Sequence, residues 1–361
     1  MTLRYLTLLK YPSRYVNRMQ VMKMSEAFRA LCDFKLYVEA ILDTKENVFD
    51  EYGVTADVNI GEVGGKARFL WPQSFWMALK YRSIIKREPP GAIFYVRDVL
   101  LAFFLCVFCG KFRRRFFFEI HSLGKFPRFI YGFVFSRASG IISTNIKKKE
   151  AIESLWHIPA RKIIVAPNGV DIRLFTGLPL RSLAREKLKL PRERAIIMYV
   201  GSTQFWKGVE RIQECARAMP DLLFVIVGGA IESHDNFLAI PRVKPREVPM
   251  YLRAADLLLA PYPSHFEVSR LWTSPVKLLE YMASGTPFLV SDMPSTRELV
   301  SEEFAYVYNP DQNGALCDGV RWALDHMNEM ENRAKRGEVK AKEYSWERRA
   351  KTILNFISNV Q

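Results

Sequence analysis

The stretch SPVKLLEYMASGTP (274–287) joins an anion-binding helix start to a carboxylate one turn further on. Ser274 suits an N-cap and Pro275 is pre-set for the first helical position. The unbonded backbone N–H groups that follow, beginning with Val276, favour a phosphate. Gly285 then stops the helix. At about 100° per residue, Glu280 falls at the edge of the apolar stripe of Val276, Leu279 and Ala283, where it can reach a ligand lying across the helix mouth. The same residues also suit an ordinary amphipathic helix with Glu280 in solvent, so the neighbouring segments decide between the two.

Those segments carry chemistry of their own. IIMYVGSTQFWKG (196–208) is a buried strand followed by a glycine-containing loop that ends in Lys207, placed to meet an anion just before the helix GVERIQECA. RRRFFFEIH ends a strand at His121, beside a Ser-Leu-Gly turn; a packed histidine and a catalytic one both fit that position. The elements that must hold these groups alternate throughout. Strands are predicted near 3–9, 34–41, 92–97, 115–121, 139–144 and 162–166, then near 195–201, 222–228, 256–260, 287–291 and 304–308. Helices are predicted near 17–31, 73–87, 126–136 and 146–156, then near 208–218, 246–254, 275–284 and 313–343, with a last amphipathic helix over 344–360. This alternation is the pattern of parallel sheets covered on both faces.

The order of the motifs resembles the family-4 retaining glycosyltransferases of GT-B fold. The likeness runs through IIVAPNGVDIRLF (163–175), GS-x-x-x-WKG, LLFVIVGG (222–229), ADLLLAPY (255–262) and the 274–287 segment. In the first half it runs through NRMQVMKMSEAF (17–28), YVRD (95–98) and FFFEIH (116–121). It implies an α/β chain of two Rossmann-like domains whose parallel sheets face a central cleft. Their bounds would be 1–166 for an acceptor-binding domain and 167–344 for a nucleotide-sugar-binding one, with the helix 345–361 packing back on the first. It assigns His121, Lys207 and Glu280 to catalysis, and Ser202, Lys244, Pro245, Ser274, Pro275, Val276 and Glu280 to the donor. Asn17, Gln20 and Arg97 fall to the acceptor. Two positions depart from the pattern. Ser202 stands where an arginine often follows the glycine, so that one phosphate clamp is either missing or supplied by Arg270 or another group, and Trp272 stands where the first glutamate of E-x7-E would fall, leaving Glu267 as a weak substitute.

Length and composition agree with two α/β domains: 361 residues, 49% hydrophobic. Five scattered cysteines suggest neither a disulfide framework nor a zinc site, and the Cys106/Cys109 pair reads as buried small hydrophobes. The apolar run VLLAFFLCVFC (99–109) is too short to span a bilayer and no signal-peptide pattern opens the chain, so a reducing cytoplasm is the expected compartment. The net charge of +15 is uneven: residues 1–165 hold 27 Lys and Arg against 14 Asp and Glu, and the rest hold 26 against 24. The excess peaks at 111–149, where Arg113, Arg114, Arg115, Lys125, Arg128 and others interleave with Phe112, Phe116, Phe117, Phe118, Phe129 and Tyr131. Basic residues among aromatics suit the anionic inner face of a membrane, and a plain solvated face as well; no nucleic-acid motif accompanies them.

The expected activity is transfer of a sugar, with retention, from a UDP- or GDP-sugar to a glycan or lipid-linked glycan in cell-surface polysaccharide or glycolipid synthesis. No metal or other cofactor is expected, since no Asp-x-Asp motif is present and fixed cations can stabilise the leaving diphosphate. The alternatives are a nucleotide-sugar epimerase of the same fold, which needs no acceptor, and a non-catalytic nucleotide-sugar-binding scaffold.

Overall fold

A computed structural model describes residues 1–13, 15–55, 57–64, 72–113, 115–229 and 232–360. The chain divides into two units, Met1–Pro167 with the last helix Trp346–Val360, and Asn168–Ser345.

The first unit is built on a seven-stranded parallel sheet. Its spatial order is Ile60–Glu62, Asp33–Val38, Thr2–Leu6, Ile93–Val96, Phe116–Ile120, Gly140–Ser143 and Ile163–Val165. Both faces are covered, which is why its strands read as unbroken apolar runs. Phe116, Phe118 and Ile120 pack into one core with the helices Gln73–Arg87, Val99–Phe108 and Arg128–Arg137. Phe117 packs into the other with Val16–Arg29 and the last helix. Cys106 and Cys109 are buried free thiols in the first of these cores, and burial pushes the Cys106 thiol up to about 12.

This double burial corrects the expectation of a basic aromatic face. Phe112, Phe116, Phe117, Phe118, Tyr131 and Phe135 are core residues, and Lys148 is buried against the Thr144 hydroxyl. Of the aromatics in that segment only Phe129 is exposed, at 71%. It neighbours the exposed Arg128 and Lys125; Arg114 lies outside the described residues. Among the described residues no helix is long and apolar enough to cross a membrane.

The second unit holds a six-stranded parallel sheet in the order Phe237–Ile240, Leu223–Val227, Ile196–Val200, Leu257–Ala260, Phe288–Ser291 and Tyr306–Tyr308. Alternation again splits one strand between two cores: Ile196, Met198 and Val200 face one side, Ile197 and Tyr199 the other. The strand Phe237–Ile240 and the helices Lys45–Tyr52, Val99–Phe108 and Arg181–Lys187 were not expected from the sequence. The helix expected over 313–343 is two, Ala315–Asp325 and Met327–Ala341. The chain leaves helical geometry at His326 (φ −116°, ψ 36°), whose ring nitrogen meets the Trp322 carbonyl at 2.8 Å, a side-chain contact that competes with the backbone ladder. A further correction concerns the cysteines: Cys215 and Cys317 form a disulfide between the helices Val209–Ala218 and Ala315–Asp325. Their sequence separation of 102 hides the pairing, and the bond removes the argument for a reducing compartment that rested on cysteine scatter.

Candidate functional site

In the second sheet the strand Ile196–Val200 is followed on one side by Leu223–Val227 and on the other by Leu257–Ala260. The connections therefore diverge between these two central strands, and the carboxyl end of such a switch point is where open parallel sheets bind ligands. Lys207 ends the loop that leaves Val200, in a short 3₁₀ turn Phe205–Lys207, and Tyr262 follows Ala260. Gly208 lets the chain turn here: its φ is +75°, and a Cβ would lie 1.9 Å from the Pro261 carbonyl oxygen.

Lys207 Nζ sits 3.6 Å from the centroid of the Trp206 ring and 5.1 Å from that of Tyr262. Burial alone lowers its pKa to about 7. The helix Val276–Ser284 begins beside it, one residue later than expected, with Pro275 as the cap residue. Ser274 is not the cap. Its hydroxyl accepts from the Asn168 N–H at 3.2 Å and its carbonyl from the Asn168 side-chain amide at 2.7 Å, so the Pro-Asn-Gly turn fixes where the helix starts. The Leu278 N–H turns back to the Pro275 carbonyl at 3.2 Å, which leaves the Val276 and Lys277 N–H groups for a ligand or water.

Glu280, one turn on, is partly buried, and no donor among the described residues satisfies its carboxylate. Burial raises its pKa to about 7, against the pull of Lys277. Sequence reasoning missed Lys277. It stands three residues before Glu280, with Nζ 3.3 Å from the Tyr199 ring centroid and 5.6 Å from that of Tyr262. The signal was the spacing itself, because i and i+3 share a helix face. Burial, and then repulsion from Lys207, holds its ammonium well below the usual lysine range despite Glu280. Two buried lysines thus meet around the Tyr262 ring, with the Glu280 carboxylate one helical step from the second.

The remaining donor candidates are more peripheral. Ser202 is exposed in the loop after Val200, and its carbonyl accepts from the Tyr199 hydroxyl at 2.5 Å. Lys244 and Pro245 open the turn Pro245–Glu247, where the Glu247 carboxylate accepts from the Lys244 N–H at 2.7 Å. Glu267 and Arg270 are exposed around the turn Val268–Trp272.

In the first unit the connections diverge between Thr2–Leu6 and Ile93–Val96. Arg97 leaves the second of these strands and points its guanidinium at the Asn17 carbonyl and the Gln20 side chain, both at 3.5 Å. His121 leaves the next strand, its Nε2 2.5 Å from Glu119 Oε1. Burial, then the Arg97 charge, lowers the His121 pKa to about 3 against the pull of Glu119, so the ring is neutral and gives its Nε2–H to the carboxylate. Glu119 in turn is held by the Tyr95 hydroxyl and, at 2.9 Å, by Arg349 of the last helix. Burial would raise this carboxyl, but Arg349 and His121 outweigh it and keep it well below the usual range. The acceptor candidates and His121 therefore cluster, on a buried ionic base. No group of three or more metal-binding side chains occurs among the described residues.

Residues 181–340 match the family model of glycosyl transferases group 1. The D-inositol 3-phosphate glycosyltransferase of Xylanimonas cellulosilytica is 26% identical over 215 residues, 53% of this chain and 48% of that protein. The UDP-Gal:alpha-D-GlcNAc-diphosphoundecaprenol alpha-1,3-galactosyltransferase of Escherichia coli is 30% identical over 179 residues, 44% of each. The chain thus spans about half the length of these curated relatives. Among solved structures, Anabaena HepE in complex with UDP-glucose superposes with a TM-score of 0.76 at 14% identity, covering 99% of this chain and 100% of that one. Fold and family model agree: the chain has the GT-B fold of two Rossmann-like units, and its second unit carries a glycosyl transferases group 1 domain.

Proposed function

We propose that the protein is a retaining glycosyltransferase that moves a sugar from a nucleotide-sugar donor to a glycan or lipid-linked glycan without a metal ion. The observation that carries this is the group of Lys207, the helix start at Val276 and the unsatisfied Glu280 at the switch point of the second sheet. As the sugar leaves, negative charge builds on the diphosphate. Fixed ammonium and N–H dipoles aimed at that charge lower the barrier. Glu280, with no donor to satisfy it among the described residues, can accept from hydroxyls of the sugar donor. In the first unit, Arg97, Asn17, Gln20 and the neutral His121 are the groups we assign to acceptor and sugar. The acceptor hydroxyl attacks from the face the phosphate leaves, which retains configuration. The Escherichia coli relative's diphosphoundecaprenol-linked substrate and the UDP-glucose bound by HepE support a UDP-sugar and a lipid-linked acceptor. An anionic membrane surface met through Phe129, Arg128 and Lys125 is the location that matches such an acceptor.

The test is transfer from labelled UDP- and GDP-sugars to a membrane lipid extract in excess EDTA, with the anomeric configuration of the product read by NMR. We expect a retained linkage and full activity in chelator. Activity that disappears in EDTA and returns with manganese rejects the metal-free mechanism. Epimerised or free sugar formed without acceptor selects the epimerase, and binding without turnover selects the scaffold. Flotation with anionic vesicles at low salt tests the membrane contact, which is dropped if the protein stays behind.

A further inference from the structure

Lys277 is the second residue of its helix, and its ammonium is placed where packing alone gives no reason for a charge. Nζ is buried and has no hydrogen-bond partner among the described residues. Ring faces surround it: Tyr199 at 3.3 Å and Tyr262 at 5.6 Å. The Tyr262 ring is shared with Lys207, whose Nζ lies 5.1 Å from the same centroid. The chain is also kept bare beside it. A Cβ on Gly201 would stand 2.9 Å from Lys277 Cε and 3.1 Å from Nζ.

A buried ammonium without a hydrogen bond is destabilising, and a second cation nearby adds repulsion. Contact with aromatic faces offsets only part of that. A methionine would fill the same space at no electrostatic cost, so the packing does not need the charge. What an arrangement of two under-solvated cations around one ring does suit is an anion with two charge centres, each meeting one ammonium. The Val276 and Lys277 N–H groups of the same helix add donors of matching sign. The four-carbon stem lets Nζ swing from the Tyr199 face to such an anion when it arrives.

We propose that Lys277 is a second diphosphate-binding cation, which closes with Lys207 on the two phosphates of the donor and of the nucleoside diphosphate that leaves. The proposal rests on the assignment of the second unit as a nucleotide-sugar site. It adds a specificity: the site requires a diphosphate, and a nucleoside monophosphate engages only one of the two lysines.

Calorimetric titration of the full chain in EDTA with UDP, GDP, their monophosphates and inorganic pyrophosphate tests this, for the wild type and for Lys277→Met and Lys277→Gln. Wild type is expected to bind one diphosphate much more tightly than its monophosphate. Both variants should lose on the order of 10- to 100-fold in diphosphate affinity, the worth of one charged hydrogen bond. Their monophosphate affinity should fall by less than their diphosphate affinity, and the ligand-free Lys277→Met protein should melt at or above the wild-type temperature. Diphosphate affinity unchanged in both variants overturns the proposal. So does a lowered melting temperature or failure to fold in both, which would make Lys277 a structural residue. If the wild type binds none of the nucleotides or pyrophosphate, the nucleotide-sugar assignment itself falls, which is a distinct outcome.

Discussion

Replacing Lys207 by methionine removes an ammonium that the fold carries at a loss, so the ligand-free variant should be more stable than the wild type at neutral pH. Burial brings this lysine from 10.5 to about 7. At about 1.4 kcal/mol per pH unit, and with the folded group half protonated at neutrality, the penalty is on the order of 4 kcal/mol. Lys207 keeps some exposure, and water at its head reduces the expected gain to roughly 2–3 kcal/mol. The pH dependence identifies the cause. Between about pH 7 and 10.5 the unfolded chain still binds the proton that the folded chain has released, so wild-type stability climbs through this window. Methionine has no proton to release, and the gap between variant and wild type should close as pH approaches 10.5. Urea unfolding of both proteins across this range reads the effect directly. A variant less stable than wild type, or a gap that does not change with pH, would refute the claim that burial holds Lys207 under-solvated at a cost to stability.

Three more outcomes are expected. Gly208→Ala should cost more than about 2 kcal/mol in urea unfolding, because the new methyl meets the Pro261 carbonyl at a positive φ. Arg349→Met should destabilise by about 3–5 kcal/mol by stranding the buried Glu119, and adding Glu119→Gln should recover much of that loss; additive losses would mean that the pair is not coupled. Alkylation of the denatured, unreduced protein should label three of the five cysteines and reduction should release Cys215 and Cys317; five labels without reduction would remove the bond.

What was legible in the sequence follows from burial. The strands around Met198, Val225 and Phe117 announce themselves because both faces are covered, so every position is apolar. Lys207 was legible because a lysine between a strand-turn and a helix has few structural reasons to be there. Glu280 was legible as a position, but its buried state was not. Lys277 was hidden because a lysine three residues before a glutamate looks like a solvated surface pair; only the tertiary approach of Tyr199 and Tyr262 shows that its head is enclosed. Ser274 looked like a cap because the local pattern permits it, yet Asn168, distant in sequence, takes its oxygens. The aromatics of 111–135 misled for the converse reason: spacing along the chain does not say that alternate faces of one strand are both interior.

The most direct test of the site is thermal stabilisation by UDP, GDP, ADP, CMP and TDP in the presence of EDTA, for the wild type and Lys207→Ala. Selective binding to the folded state raises stability with ligand excess over Kd. A clear upward shift with one of the nucleoside diphosphates is expected in the wild type and should be largely lost in the variant. No shift with any of them, or an equal shift in both proteins, would contradict the assignment of a metal-free nucleotide-sugar site to Lys207, the Val276 helix start and Glu280.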